Sequence, residues 1–169
     1  MCWKRLAHQL YLQGYITYNQ TESNKYSKEF IHQVQLYFIH QDKEKYIGDL
    51  NKITKIENSL SNEAIRVTNI HLSTIKVNDI NLKQLYKLIY KNSIESCMIH
   101  STYNSYNMTI TAPCNHNYIH KLHIPIFLGW ESNQLNKNIG KKNADILQYC
   151  CSSNVFIKNC VMDITKKKN

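Results

Sequence analysis

Gly14-Tyr15-Ile16-Thr17-Tyr18-Asn19-Gln20-Thr21-Glu22-Ser23 joins two apolar-periodic runs, and its reading decides how the rest of the chain is understood. Ahead of it, residues 3–13 space Leu6, Leu10 and Gln13 on one helical face with Trp3 and Ala7, and Gly14 supplies the stop. Residues 15–18 are short and β-rich. Tyr18 is flanked by hydroxyls and amides, not by core-forming side chains. Such a tyrosine reads in two ways: as a half-buried residue ending a strand, or as a nucleophile. The second needs help, because a phenol with a pKa of about 10 is protonated at neutral pH and requires a nearby cation or base.

Beyond this stretch, Ser23 or Asn24 is placed to cap a helix over 27–40, where Phe30, Val34, Tyr37 and Phe38 recur at helical spacing and read as core. Residues 41–60 are polar, a loop with one short strand near Tyr46-Ile47. Glu63-Ala64-Ile65-Arg66 begins an ordered segment after Ser61. Residues 81–97 are the clearest helix, with Leu82, Leu85, Leu88 and Ile89 as its stripe and Asn81 as its cap. Near Thr102 alternation replaces the helical period. Met108–Thr111 and Tyr118–Phe127 predict two strands around a turn at Pro113-Cys114-Asn115. Residues 131–148 read as a lysine-rich loop, 154–164 as one more strand, and Lys166-Lys167-Lys168 as a solvated tail. The expected class is α+β.

A chain of 169 residues with 43% hydrophobic content is one domain or parts of two. Its formal charge of +9 favours an anionic partner, nucleic acid first and an acidic membrane surface second. An AT-rich coding sequence gives the same excess of lysine, asparagine, isoleucine and tyrosine with no selection for binding. Against that bias the two arginines, Arg5 and Arg66, stand out, because the guanidinium fork grips phosphate in two places. The six cysteines, Cys2, Cys97, Cys114, Cys150, Cys151 and Cys160, form no C-x-x-C pair. Lys4, Arg5, His8 and Gln9 interrupt any secretory core, and no apolar run is long enough for a membrane span. His116, His120 and His123 would share a face for metal only on a helix; the alternation of Tyr118, His120, Leu122 and Ile124 reads as a strand.

Ala7, Leu10-Tyr11 and Gly14-Tyr15-Ile16-Thr17-Tyr18 resemble the block leading into the active-site tyrosine of type IA DNA topoisomerases. That family typically reads Leu-Tyr-Glu, one residue, Gly, one residue, Ile-Thr-Tyr, one residue, then Arg-Thr-Asp-Ser. A second family block, Ala-His-Glu-Ala-Ile-Arg-Pro-Thr, is matched in order by Ser61-Asn62-Glu63-Ala64-Ile65-Arg66-Val67-Thr68. Leu85-Tyr86-Lys87-Leu88-Ile89-Tyr90, Cys97-Met98, Tyr103 and Gly129-Trp130 resemble later parts of the same proteins, and beyond Trp130 the likeness fades.

The resemblance implies a helical tyrosine-bearing domain over 1–100, antiparallel strands of the arch domain over 101–130, and a weakly matched tail over 131–169. It implies Tyr18 as the catalytic nucleophile, joined to a 5′ phosphate of single-stranded DNA. Gln20, Asn62, Glu63 and Arg66 would support it, and Thr17, Thr21 and Arg66 would contact DNA. Two departures weaken the chemistry: Gln20 stands where the family has arginine and Asn62 where it has histidine. A third departure is Val67 in place of a proline. Arg66 either grips phosphate or pairs with Glu63. The family's magnesium-binding fold lies ahead of this region, and no D-x-D-x-E pattern occurs here. Asp42, Glu44 and Asp49, spaced through a lysine-rich loop, are a poor substitute. No metal is expected on this chain, and Mg2+ would come through an absent domain, on a separate chain if one exists. The expectation is therefore a fragment, one part of a split gene, or a decaying copy. It is an enzyme component, a binding module for single strands, or a remnant, working inside the cell with DNA (cytoplasm, nucleoid or organelle), not secreted and with no membrane partner.

Overall fold

In the computed structural model, which describes residues 2–55, 62–111, 114, 116–133, 142–148 and 157–167, chain contacts divide the protein into two units, Met1–Ile99 and His100–Asn169. The first holds three helices, α1 (Trp3–Leu12), α2 (Lys28–Ile39) and α3 (Ile80–Glu95), with short 3-10 turns at Glu44–Tyr46 and Leu50–Lys52. The second holds a three-stranded antiparallel sheet of β1 (Ser101–Thr111), β2 (Asn117–Phe127) and β3 (Ile157–Lys167), ordered β2-β1-β3. The fold class is α+β.

Leu6 and Leu10 of α1 join Ile16, Val67, Ile75, Leu82 and Tyr86 in one buried cluster. Only these two α1 residues are buried; Trp3 is 57% exposed and Gln13 is exposed, so the wider face expected from spacing narrows to the side that meets α3. Gly14 ends the helix at φ +73, a left-handed conformation that costs glycine nothing for want of a Cβ.

The cap of α2 is Ser27, not Ser23 or Asn24; its hydroxyl accepts the Phe30 N–H at 3.4 Å. The helix starts late because the chain before it is paired. Tyr26 donates to Ile53 O at 2.7 Å and accepts from Lys55 N–H at 2.7 Å. Asp79, not Asn81, caps α3, accepting from the N–H groups of Asn81 (2.8 Å) and Leu82 (3.3 Å). Leu88, expected in the α3 stripe, is 63% exposed, and Tyr86 takes the buried place. Tyr86 can do so because its hydroxyl donates to Leu72 O at 2.6 Å, which satisfies the polar tip inside the core. Burial, with Tyr15 nearby, pushes its phenol up to about 12, so it stays neutral through the physiological range.

The strand expected near Tyr46-Ile47 is a single bridge, Ile47 to Met98, between 3-10 turns. There Gly48 donates to Cys97 O at 2.9 Å. A Cβ at Gly48 would stand 2.7 Å from Met98 O, so only glycine fits this crossing.

In the second unit β1 is the central strand; it begins at Ser101, beside the change to alternation near Thr102, and so runs longer than the Met108–Thr111 strand expected. β2 is an edge of the sheet, the kind of strand in which a proline such as Pro125 is tolerated. Of the expected turn, Pro113 and Asn115 lie outside the described residues, and Cys114 has φ +62. Residues 142–148 are helical where a loop was expected. Lys166 and Lys167 are not tail but part of β3, opposite Thr102 and Ser101. His120 and His123 sit on β2 opposite Met108 and Ser105, so the histidines follow strand spacing.

Two outcomes are expected. Gly48→Ala lowers the unfolding free energy by about 1–3 kcal/mol, since backbone and not a flexible side chain must yield; urea titration followed by circular dichroism measures it. Burial pushes the Cys97 thiol up to about 12. Below that pH the unreactive thiol persists, so at pH 8 an aromatic disulfide reagent should label exposed Cys2 well before buried Cys97, and urea should abolish the difference.

Candidate functional site: the ribbon that carries Tyr18

The two sequence blocks, 49 residues apart at Thr17 and Arg66, meet in space. Ile16 and Val67 form an antiparallel bridge. Thr17 N–H donates to Arg66 O at 2.9 Å, and Thr68 N–H to Tyr15 O at 3.1 Å. The Thr17 hydroxyl accepts the Arg66 N–H (3.0 Å) and donates to Ala64 O (3.0 Å). Thr68 Oγ1 donates to Gly14 O at 2.7 Å. On the other edge of the 62–68 segment, Ala64 N–H donates to Lys25 O at 2.7 Å. From α3, Ser93 Oγ accepts the Val67 N–H at 3.3 Å. The expected short strand at 15–18 is thus a two-sided ribbon closed largely by side-chain hydroxyls.

Arg66 is held by this ribbon and by α2. Its Nε donates to Glu63 Oε2 at 3.0 Å and its NH2 to Glu63 Oε1 at 2.9 Å, a fork-on-fork ion pair, while NH1 donates to Val67 O at 3.0 Å. The guanidinium carbon lies 4.5 Å from the centre of the Phe30 ring. Glu63 Oε2 also accepts the N–H of Ser27 at 3.0 Å, at the start of α2. The two side chains are 13% and 21% exposed. At that burial neither charge is well solvated alone, so each depends on the other. Of the two readings of Arg66, this geometry is the ion pair.

Tyr18 stands apart from the core, partly exposed at the open end of the ribbon. Its hydroxyl donates to Gln20 Oε1 at 3.1 Å. Its ring meets Tyr11 edge to face, 5.4 Å between centroids at 75°. An amide oxygen orients the phenol but is far too weak a base to take its proton. Thr21 Oγ1 accepts the Ser23 N–H at 3.1 Å, and reaches Asn62 O at 3.5 Å. The ribbon thus brings together Thr17, Thr21, Asn62, Glu63 and Arg66, with the two hydroxyls engaged on the chain itself. The sequence placed Tyr11 only within the tyrosine block and Phe30 only in the core by its helical spacing, and nothing local marks Ser27 as a neighbour of Glu63.

The family model described as DNA topoisomerase matches residues 3–167. The chain belongs to this family, on the type IA side that the tyrosine block resembles. It is 34% identical over 148 residues to DNA topoisomerase 1 of Buchnera aphidicola subsp. Schizaphis graminum, covering 78% of this chain and 16% of that protein. It is 30% identical over 111 residues to DNA topoisomerase 1 of Escherichia coli (strain K12), covering 63% and 13%. The chain therefore spans a small part of the length of these relatives. Among the described residues, no helix is long and apolar enough to cross a membrane.

Removing the fork has a defined outcome. Arg66→Ala strands the Glu63 carboxylate and should lower stability by about 2–4 kcal/mol. Arg66→Lys should recover less than half of that, because an ammonium cannot span both carboxylate oxygens. Denaturant melts of the three proteins give the comparison.

Proposed function

We propose that this chain carries the nucleophile of a type IA topoisomerase reaction, in which Tyr18 breaks one DNA strand and reseals it. The observation that supports it best is the placement of Tyr18. Its backbone neighbour Thr17 is fastened on both its N–H and its hydroxyl, while its own hydroxyl faces outward beside Gln20. A reacting tyrosine needs that combination of a fixed backbone and a free approach.

In the step itself Tyr18 Oη attacks the phosphorus of a phosphodiester in single-stranded DNA. The bond to the 3′ oxygen breaks; the phenol gives up its proton to water and the leaving oxygen takes one. The 5′ phosphate is left esterified to tyrosine. One phosphodiester replaces another, so the bond energy is kept and the reverse attack by the 3′ hydroxyl restores the strand. Negative charge gathers on the phosphate oxygens at the transition state. Gln20 offers a neutral hydrogen bond there and Asn62 no titratable group, which makes this chain a slow catalyst by itself. Magnesium finds no fitting donor set: among the described residues no three of His, Cys, Asp and Glu are grouped to hold an ion. In the family resemblance it is an acidic domain, not these residues, that would hold the ion. In this reading Thr17, Thr21 and Arg66 serve the DNA indirectly, by holding the ribbon, and the protein works inside the cell with DNA.

Gln20 and Asn62 favour a second reading, a module that holds single strands without cutting them. A labelled single-stranded oligonucleotide on a denaturing gel separates the two. With the acidic domain of a relative and magnesium added, covalent adduct should form, vanish in Tyr18→Phe, and rise about tenfold in Gln20→Arg, because a charge-assisted hydrogen bond is roughly twice as strong as a neutral one. Adduct that survives Tyr18→Phe would remove Tyr18 from the reaction; no adduct from a folded chain would leave the binding module. Arg66→Ala should leave the salt dependence of oligonucleotide binding unchanged, and a slope smaller by about one ion would return Arg66 to phosphate.

A further inference from the structure

α1 turns a stripe of three side chains away from its core face. Lys4, His8 and Tyr11 follow the i, i+4, i+7 spacing opposite Leu6 and Leu10, and all three are exposed. The rings form a row. His8 and Tyr11 lie 6.1 Å apart at 40°, and Tyr11 meets Tyr18 at 5.4 Å. No aspartate or glutamate occurs before Glu22, so the stripe is wholly cationic and aromatic. The outward side of α3 differs: Lys83, Gln84, Lys87, Leu88 and Lys91 are exposed there, with no exposed aromatic ring among them. α1 instead spends an exposed tyrosine, 37% open to solvent, on a ring contact with the candidate nucleophile.

We propose that His8 and Tyr11 form a stacking platform for an unpaired base of the strand whose phosphate Tyr18 attacks, with Lys4 on the neighbouring phosphate. The proposal rests on the reading of Tyr18 given above. Single-stranded nucleic acid is the occupant that this chemistry fits. Its bases present free π-faces, which stack on aromatic rings with little regard to sequence, and its backbone requires the cation. A duplex offers no such face along its length. A base seated on Tyr11 would bring the adjoining phosphate to the ring that Tyr11 already touches, so the platform sets which phosphate Tyr18 meets.

The test uses the full chain and a fluorescent oligothymidylate of about a dozen nucleotides, read by anisotropy at several salt concentrations. Tyr11→Ala should weaken binding by about fivefold to a hundredfold with the salt slope unchanged, and Tyr11→Phe should keep it. His8→Ala should fall between, and Lys4→Ala should reduce the slope by just under one ion. With an oligonucleotide of abasic sugars the difference between the native chain and Tyr11→Ala should disappear. Equal affinity of native and Tyr11→Ala chains for the normal oligonucleotide overturns the platform, as does a loss that persists on the abasic one. A chain that melts normally yet binds no oligonucleotide at low salt overturns it too. The adduct assay separates this from the reading of Tyr18: Tyr11-dependent binding without adduct keeps the platform and removes the nucleophile, whereas adduct indifferent to Tyr11 does the reverse.

Discussion

The reciprocal pairing of Thr17 with Arg66 is the constraint on which the first unit depends. It joins segments distant in sequence through two short hydrogen bonds, and each end is anchored again. Thr17 reaches Ala64 and, one residue earlier, Ile16 is in the core cluster. Arg66 reaches Glu63, which in turn holds the start of α2 through Ser27. One ion pair thereby fixes the entry to a helix, a turn of backbone and the residue before a tyrosine. The fork also gives a physical reason for an arginine at this position in a lysine-rich chain. A point charge could neutralise Glu63, but it could not also stack on Phe30 and reach Val67 O.

Much of this was legible in the sequence. The helical periods of α1, α2 and α3 and the change to alternation that opens the sheet follow from apolar spacing, because burial of one face is a local pattern. The missed details are those decided by distant partners. Ser27 and not Ser23 caps α2 because the chain is paired through Tyr26 until then. Tyr86 and not Leu88 enters the core because Leu72 O waits for its hydroxyl. Lys166 and Lys167 read as tail because lysines carry no strand signal, yet β1 needs a second neighbour and they complete it.

The same limit applies at the candidate site. The block around Tyr18 and the block around Arg66 each announced themselves by resemblance, and Glu63 was the named competitor for the guanidinium. No spacing rule reveals that Thr17 and Thr21, whose hydroxyls looked available, are tied to Ala64 and Ser23. Small hydroxyl residues serve backbone and ligand with equal chemistry, and only the neighbouring chain decides between them.

The ribbon also has a place in time. Its two edges close a loop of about fifty residues, and such closure has an entropic cost that must be met before any contact rewards it. As the chain emerges during synthesis, Thr17 has no partner until the segment through Thr68 has followed. Until then Tyr18 stands on an unfastened backbone. The backbone that carries Tyr18 thus gains its geometry only after segments far apart in the chain have met, so the order of assembly sets when that exposed phenol is first held in place.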